Sequence, residues 1–203
     1  HFASHFERET RECSSEIVCS LVGGIKRFAI SSYCSAQAGI VIFFGISSEI
    51  SSTCSSFRIA AEELDYSDHV FVVDSRNLSS GIGLTILKAA KLIEEGKLTA
   101  AEIAAEAEKI IPKVRASFVV DTLTYLYRGG RCSAVSAVAA SALGIKPKIV
   151  VENGKMGVGA KYRGRLAAVV RKYVEDMLPE LKKADPDAVF NTHSGVSDEI
   201  SGE

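Results

Sequence analysis

The chain has 203 residues, of which 47% are hydrophobic and 24% charged, a composition typical of a soluble globular protein with one large or two small domains. Its formal net charge of -1 gives no overall attraction to nucleic acid or to an anionic membrane surface. The five cysteines include no C-x-x-C pair, which argues against a zinc site or a disulfide framework and favours a reducing compartment, the cytoplasm. The uncharged stretch 28–48 contains too many polar residues for a membrane span.

The first half of the chain alternates between short apolar runs and amphipathic stretches. Strands that alternate with helices at this spacing predict a parallel sheet covered by helices on both faces, the architecture of an α/β protein. Thr99 and Glu102 form a capping-box pattern at the start of the last helix. In chain order, the predicted elements are a helix at 1–13, a possible strand at 16–21, a strand at 40–44, a helix at 52–64, a strand at 70–73, a helix that ends at 95 and a helix at 99–111.

The pattern changes near Pro112, and we place a domain boundary there. It separates a partial N-terminal α/β domain, 1–112, from a partial C-terminal α/β domain, 113–203. In the second half, Asn153-Gly154 is the dipeptide most typical of a type I′ hairpin turn. The predicted elements there are a buried strand from 118, a short helix that Asp121 and Thr122 can cap and that stops at Gly129-Gly130, a helix at 135–143, the hairpin, a helix that ends at 183 and a strand at 188–192.

Hydroxyl side chains are concentrated where the strand at 40–44 gives way to a helix. Ser47, Ser48, Ser51 and Thr53 lie within seven positions. In open α/β sheets, ligands bind outside the carboxyl ends of the strands, and a helix N-terminus there attracts anions. The pattern therefore indicates an anion site. The alternative is that Ser52 or Thr53 caps the helix and the other serines are loop residues.

Three further motifs are candidates for chemistry. Arg128 and Arg131 flank the glycine pair and suit a carboxylate or phosphate, although the local pattern by itself favours a helix C-cap with two solvated arginines. The stretch from Ser79 to Gly83 lacks the third glycine of a nucleotide loop, so a tight strand–helix turn is favoured. His193 could act as a general base, but the sequence places no carboxylate or nucleophile beside it.

A basic cluster, defined as Lys161, Arg163 and Arg165, lies at the predicted start of a helix. Cations are mildly unfavourable at that end, by roughly 0.3–1 kcal/mol, because the helix dipole is positive there. The cluster is therefore more naturally explained by an acidic partner than by a local structural role, with a solvated basic loop as the alternative.

Six motifs, in this order and spacing from Ile46 to about Gly195, resemble those of the DegV family of fatty-acid-binding proteins. Each is weak alone, but their combination is specific. The motifs are Ser47-Ser-Glu-Ile-Ser-Ser-Thr53, Val72-Val-Asp-Ser-Arg-Asn-Leu-Ser-Ser-Gly-Ile-Gly83, Phe118-Val-Val-Asp-Thr-Leu-Thr-Tyr-Leu126, Arg128-Gly-Gly-Arg-Cys-Ser133, Gly144-Ile-Lys-Pro147 and Tyr162-Arg-Gly-Arg165.

The resemblance implies one long-chain fatty acid bound in a tunnel of an α/β fold, with no cofactor besides this ligand. It also implies the lipid-carrying subunit of a bacterial fatty acid kinase, in which a separate kinase subunit uses ATP and magnesium to phosphorylate the bound carboxylate for phospholipid synthesis. By position, Ser51 matches the family serine that hydrogen-bonds the carboxylate, and Arg131 matches an arginine in the network around it. We expect Ser48 and Ser52, which neighbour Ser51, to take part in fatty-acid binding. Arg163 falls where the family has an arginine implicated in engaging the kinase subunit, and we expect Arg165 to contribute to the same contact.

The chain also departs from the family pattern. The family's opening D-S-T and T-S-Q-P motifs and its final segment are absent, Ser52 stands where glycine is usual, and a segment from about Val22 to Gly45 is extra. We therefore expect a chain truncated at both ends. Two alternatives stay open: a hydrolase or transferase that acts on acyl substrates through Ser51 or His193, and a remnant that binds no lipid.

Overall fold

The computed structural model of the chain describes residues 17–20, 39–130 and 145–193. The predicted helices at 1–13 and 135–143, and Arg131, lie outside these residues. The chain divides into two compact units, His1–Val114 and Arg115–Glu203, and each is described by itself. In the described parts, no helix has the length and apolar character that would let it cross a membrane.

The first unit contains a parallel three-stranded sheet, as predicted. Its strands are β1 (Ile17–Ser20), β2 (Ile40–Gly45) and β3 (Val70–Asp74), and they lie side by side in the order β1-β2-β3. In the register between β2 and β3, Gly45 lies opposite Asp74. The carboxyl ends of these two strands therefore meet at one edge of the sheet.

Helices cover both faces of this sheet because β2 is apolar on both sides, as strands of parallel sheets usually are. On one face, α1 (Thr53–Glu63) packs against Phe43, and the Phe57 ring stacks on the Phe43 ring with a centroid distance of 3.9 Å. On the other face, α2 (Ser80–Glu95) and α3 (Ala100–Ile110) form a larger core. Its buried residues are Ile42, Phe44, Val73, Ile82, Ile86, Ala89, Ala100, Ile103, Ala104 and Ala107.

Two local predictions for the first unit can be compared with the structure. The capping box is confirmed: Glu102 N donates to Thr99 Oγ1 at 3.4 Å, and Thr99 N donates to Glu102 Oε2 at 2.8 Å. The Thr99 backbone N–H and the Thr99 hydroxyl, which also donates to Glu102 Oε2 at 2.8 Å, stabilise the charged carboxylate and so lower the pKa of Glu102. The motif from Ser79 to Gly83 is mainly helical, because α2 begins at Ser80 and only Ser79 precedes it.

The second unit is built on an antiparallel three-stranded sheet. Its strands are β4 (Ala116–Val119), β5 (Ile145–Glu152) and β6 (Lys155–Arg163), in the order β4-β5-β6. The predicted hairpin is confirmed, and its turn has positive φ at Asn153 (51°) and Gly154 (83°). Pro147 lies next to a register shift in β5, which is where a residue without a backbone N–H is tolerated within a sheet.

Two helices pack on this sheet. Leu123 and Leu126 from the region of α4 (Thr124–Gly129) contact the buried Ile149 of β5. The longer α5 (Leu166–Leu181) contacts the sheet through Tyr173, whose hydroxyl donates to the Ser117 carbonyl oxygen at 2.9 Å. Gly130 follows α4 with a φ of +66°, so the predicted helix end at the glycine pair is confirmed.

Several predictions for the second unit are wrong. Residues 188–192 form no strand: Pro186–Ala188 is a 3₁₀ turn, and 189–193 pair with no strand among the described residues. The strand β4 is half-buried rather than buried, because it lies at an edge of the described sheet. The N-cap of α4 is Leu123, while Thr122 Oγ1 accepts from Thr124 N at 3.3 Å. The last predicted helix begins at Leu166, so Lys161 and Arg163 belong to β6.

Candidate functional site

Two loops meet at the carboxyl ends of β2 and β3. We call residues 46–52, which follow β2, the serine loop, and residues 75–79, which follow β3, the β3 loop. Ser47 N donates to the Asn77 carbonyl oxygen at 2.9 Å, and Ser75 N donates to the Gly45 carbonyl oxygen at 3.1 Å. Ser47, Ser75 and Asn77 are all buried. The loops are therefore fixed to each other below the residues that face solvent.

A pair of hydroxyls lies where the serine loop joins α1. Ser51 Oγ and Thr53 Oγ1 are 2.7 Å apart, and either atom can be the donor. Thr53 N also donates to Ser51 Oγ at 3.3 Å. Because the pair uses only one of its two hydroxyl hydrogens internally, the other is available to a ligand. A carboxylate, which accepts hydrogen bonds through two oxygens, is a matching acceptor.

The N-terminus of α1 adds backbone donors beside this pair. Ser56 N makes the first helical hydrogen bond, to the Ser52 carbonyl oxygen at 2.9 Å, so the amides of Cys54 and Ser55 precede the intrahelical pattern. Ser52 is the N-cap but makes no side-chain capping hydrogen bond, and the first turn holds no acidic residue. Helix capping by the Ser52 hydroxyl therefore does not explain why hydroxyl residues are concentrated in the serine loop. The partial positive charge of the helix N-terminus is also not balanced by an acidic side chain in its own first turn.

Ser48 points to a different group from Ser51. Its hydroxyl donates to Asp74 Oδ2 at 2.5 Å, and its backbone N–H donates to Asp74 Oδ1 at 3.2 Å. In this arrangement the Ser48 hydroxyl hydrogen is used within the protein. Sequence reasoning singled out Ser48 but gave no role to Asp74. The only local signal for Asp74 was its position at the last residue of a strand.

Close packing places α1 against the end of β2. A Cβ atom added to Gly45 would lie 2.3 Å from Cys54 Sγ, so a side chain at position 45 has no room. Cys54 is fully buried, and burial together with the nearby Asp74 charge raises the pKa of its thiol. The thiol is therefore neutral at pH 7, which fits a packing role rather than that of a nucleophile.

The basic cluster lies in the second unit. Lys161 and Arg163 are exposed residues of β6, and Arg165 is the exposed N-cap of α5. None of the three has a carboxylate partner among the residues that the structure describes. Tyr162 between them is buried and donates to Asp176 Oδ2 of α5 at 3.0 Å. Because successive strand residues point to opposite sides, Lys161 and Arg163 face away from that contact.

Tyr162 anchors the strand that carries this cluster. Burial raises the pKa of Tyr162 to about 12, and the hydrogen bond to Asp176 adds to the effect. The hydroxyl is therefore protonated at neutral pH and remains a donor to the carboxylate. This contact ties the end of β6 to α5, so Lys161 and Arg163 of the cluster are presented on a fixed strand rather than on a loose loop.

The structure brings together some of the predicted site residues. Ser48, Ser51 and Ser52 share the serine loop of the first unit, whereas Arg163 and Arg165 lie in the second unit and Arg131 lies outside the described residues. His193 is exposed and lies in the second unit. Within the described parts of the chain, no group of three His, Cys, Asp or Glu side chains is arranged to hold a metal ion.

A family model described as "Uncharacterised protein, DegV family" matches residues 26–202 of the chain. The chain belongs to the DegV family. Among its relatives, a DegV domain-containing protein of Clostridium perfringens is 40% identical over 148 residues, which make up 72% of this chain and 52% of that protein. The chain thus spans about half the length of the curated DegV relatives it matches.

Solved DegV structures share the fold. DegV of Bacillus subtilis, described as a fatty acid binding protein, is 33% identical with a TM-score of 0.60, and the match covers 77% of this chain and 55% of that one. A DegV family protein from Thermus thermophilus, solved in a study of fatty acid binding, is 28% identical with a TM-score of 0.62, covering 77% and 53%. The predicted family resemblance and α/β architecture are confirmed.

Proposed function

We propose that this chain binds a long-chain fatty acid and holds its carboxylate at the Ser51–Thr53 hydroxyl pair. The observation that carries the proposal is the placement of this pair beside the N-terminal amides of α1, where the Ser52 side chain makes no capping hydrogen bond and the first turn holds no acidic residue. Fatty acid binding by the Bacillus subtilis and Thermus thermophilus relatives supports the choice of ligand. No cofactor besides this ligand is required.

The acyl tail and the carboxylate headgroup contribute differently to the binding free energy. Each buried methylene of an acyl chain contributes about 0.8 kcal/mol, so a long tail supplies most of the affinity. A hydrogen bond to a charged group contributes about 1.5–3 kcal/mol, so the headgroup contacts mainly fix orientation. In this proposal Ser51 and Thr53 orient the carboxylate, Ser52 lies beside them, and Ser48 acts on the loop. The fatty-acid-binding role that the family resemblance gives to Arg131 stays a prediction, because Arg131 lies outside the described residues.

We further propose that the chain presents the carboxylate to a separate kinase subunit in the cytoplasm. That subunit would transfer the γ-phosphoryl group of ATP to a carboxylate oxygen, which gives an acyl phosphate and ADP. Arg163 and Arg165 are exposed and have no carboxylate partner in the described parts of the chain, and such cations suit an acidic surface on a partner. Catalysis then belongs to the partner, and this chain acts as the lipid carrier.

The central test is recovery of the ligand. The chain is expressed in lipid-replete cells, purified without detergent and examined by native mass spectrometry, followed by mass spectrometry of its organic extract. The expected result is a protein peak heavier than the apo chain by the mass of one fatty acid, and that same acid in the extract. Apo protein alone, which also fails to take up added oleate, would contradict the proposal and would support the view that the chain is a non-binding remnant.

Replacing Ser51 with alanine should weaken binding of a fatty acid by roughly tenfold to a hundredfold, because one hydrogen bond to a charged group is lost. Binding should remain measurable, because the acyl tail still contributes most of the affinity. Titration with a fluorescent fatty acid measures the change. Ser56→Ala is the matched control, since Ser56 is an exposed hydroxyl of the same helix. Equal affinities for the two variants would remove Ser51 from the site.

A further inference from the structure

The Asp74 carboxylate hydrogen-bonds to residues of both the serine loop and the β3 loop. Its Oδ1 accepts from Ser48 N at 3.2 Å and from Arg76 N at 2.9 Å, and its Oδ2 accepts from Ser48 Oγ at 2.5 Å. One carboxylate thus joins the serine loop, which follows β2, to the β3 loop, which follows the neighbouring strand. Ser48 is 26 residues from Asp74 in the sequence, whereas Arg76 is two residues from it.

The attachment reaches Ser51 through the turn of the serine loop. Ile50 N and Ser51 N both donate to the Ser47 carbonyl oxygen, at 2.9 and 3.0 Å. Ser47 is in turn held by Asn77 and is followed directly by Ser48, which Asp74 holds. Two contacts therefore fix the position of the Ser51 hydroxyl relative to the sheet: the contact of Ser47 with Asn77 and the contact of Ser48 with Asp74. Loss of the Asp74 contacts would leave the two loops joined by the backbone hydrogen bond from Ser47 N and by the exposed ion pair between Arg76 Nη1 and Glu49 Oε1 at 3.7 Å, so the connection between the loops would be weaker.

We propose that Asp74 is a positioning residue that holds the serine loop in the conformation needed to bind a carboxylate headgroup. This inference rests on the proposed function. A carboxylate suits the task because it accepts several hydrogen bonds and donates none, so it can collect two backbone N–H groups and a hydroxyl at once. Its negative charge would repel an anionic ligand, so binding of the ligand is not the reason for a carboxylate at this position. The three donors hydrogen-bond to the carboxylate and hold it against the two loops.

The test compares headgroup selectivity in the full 203-residue chain. Affinities for palmitate and for hexadecanol, which has the same tail length and no charge, give an acid-to-alcohol ratio for the unmodified protein, Asp74→Ala, Asp74→Asn and Ser48→Ala. Asp74→Asn keeps an oxygen for the backbone donors and an amide that can donate to Ser48 Oγ. Asp68→Ala, at an exposed acidic residue of the first unit, is the matched control.

The expected result is an acid-to-alcohol ratio lowered about tenfold in Asp74→Ala, since a carboxylate contact of the mispositioned hydroxyl is weakened. The ratio should stay close to that of the unmodified protein in Asp74→Asn and Asp68→Ala, and hexadecanol affinity should change little throughout. An unchanged ratio in Asp74→Ala would overturn the proposal. So would tighter palmitate binding in both Asp74 variants, because it would mean that the charge only repels the ligand.

Two further outcomes are decisive. If Asp74→Ala does not fold, the Ser48→Ala variant carries the test: a ratio lowered severalfold supports positioning by Asp74, and an unchanged ratio overturns it. If the unmodified chain binds hexadecanol and palmitate equally, the carboxylate site itself is absent, and the proposed function fails independently of any effect of the Asp74 variants.

Discussion

Replacing Phe43 with alanine is expected to lower the free energy of unfolding of the chain by about 3–5 kcal/mol. Phe43 is fully buried in the central strand of the first sheet, and its ring stacks on Phe57 at 3.9 Å. The substitution removes the aromatic contact and leaves a cavity between the sheet and α1. Since the serine loop lies between β2 and α1, fatty acid binding should also be lost at temperatures where the unmodified chain is folded.

Urea denaturation followed by far-ultraviolet circular dichroism measures this effect. The matched control is Ile59→Ala, which removes a large apolar side chain from the outer side of the same helix, where Ile59 is 54% exposed. Exposed sites of this kind usually change stability by no more than about 0.5 kcal/mol. If Phe43→Ala and Ile59→Ala have equal midpoints and slopes, the described packing of α1 on β2 is wrong.

Charge reversal at Arg163 is expected to separate lipid binding from partner binding. Arg163→Glu should leave the fatty acid content of the purified chain unchanged, because Arg163 is exposed on β6 and faces away from the buried Tyr162. It should lower the rate of acyl-phosphate formation with a kinase subunit by roughly tenfold to a hundredfold, because like charges opposed across an interface cost several kcal/mol. The salt dependence of that rate should also decrease.

Lipid occupancy and coupled kinase activity are measured on the same preparation. Lys182→Glu provides the control, since it makes the same change in net charge at an exposed residue just beyond α5. If Arg163→Glu loses lipid together with activity, Arg163 belongs to the pocket or the fold. If both variants lower the rate equally, the effect is one of overall charge and the assigned docking surface is wrong.

The elements that could be predicted from the sequence are those specified by local chemistry. The apolar run at 40–44 predicts a buried strand whichever strands lie beside it, and Asn153-Gly154 predicts a hairpin because few other dipeptides adopt two consecutive positive φ values. The capping box at Thr99 follows in the same way from one residue pair. The hydroxyls at 47–53 were predicted to lie where a strand gives way to a helix, and they do.

The features that sequence reasoning missed depend on residues far apart in the chain. The hydrogen bonds between Ser48 and Asp74 span 26 residues and follow from the register of β2 against β3, which no local pattern specifies. The strand predicted at 188–192 had a suitable composition, but a strand also needs a neighbour to pair with. Lys161 and Arg163 were predicted to lie at a helix start, but they belong to β6. Lys161 lies opposite Pro147 of β5, and the continuation of β6 to this point depends on its pairing with β5.

The missing side chain at Gly45 has a consequence for redesign of the binding site. A methyl group there would lie 2.3 Å from Cys54 Sγ and 3.0 Å from Phe43 Cε1, so α1 would have to move away from β2. Such a movement would carry the first-turn amides of α1 and the Ser51–Thr53 pair together. Mutant libraries designed to alter ligand preference should therefore vary the exposed Ser52 and keep glycine at position 45. A larger residue at position 45 would change the depth of the whole anion site.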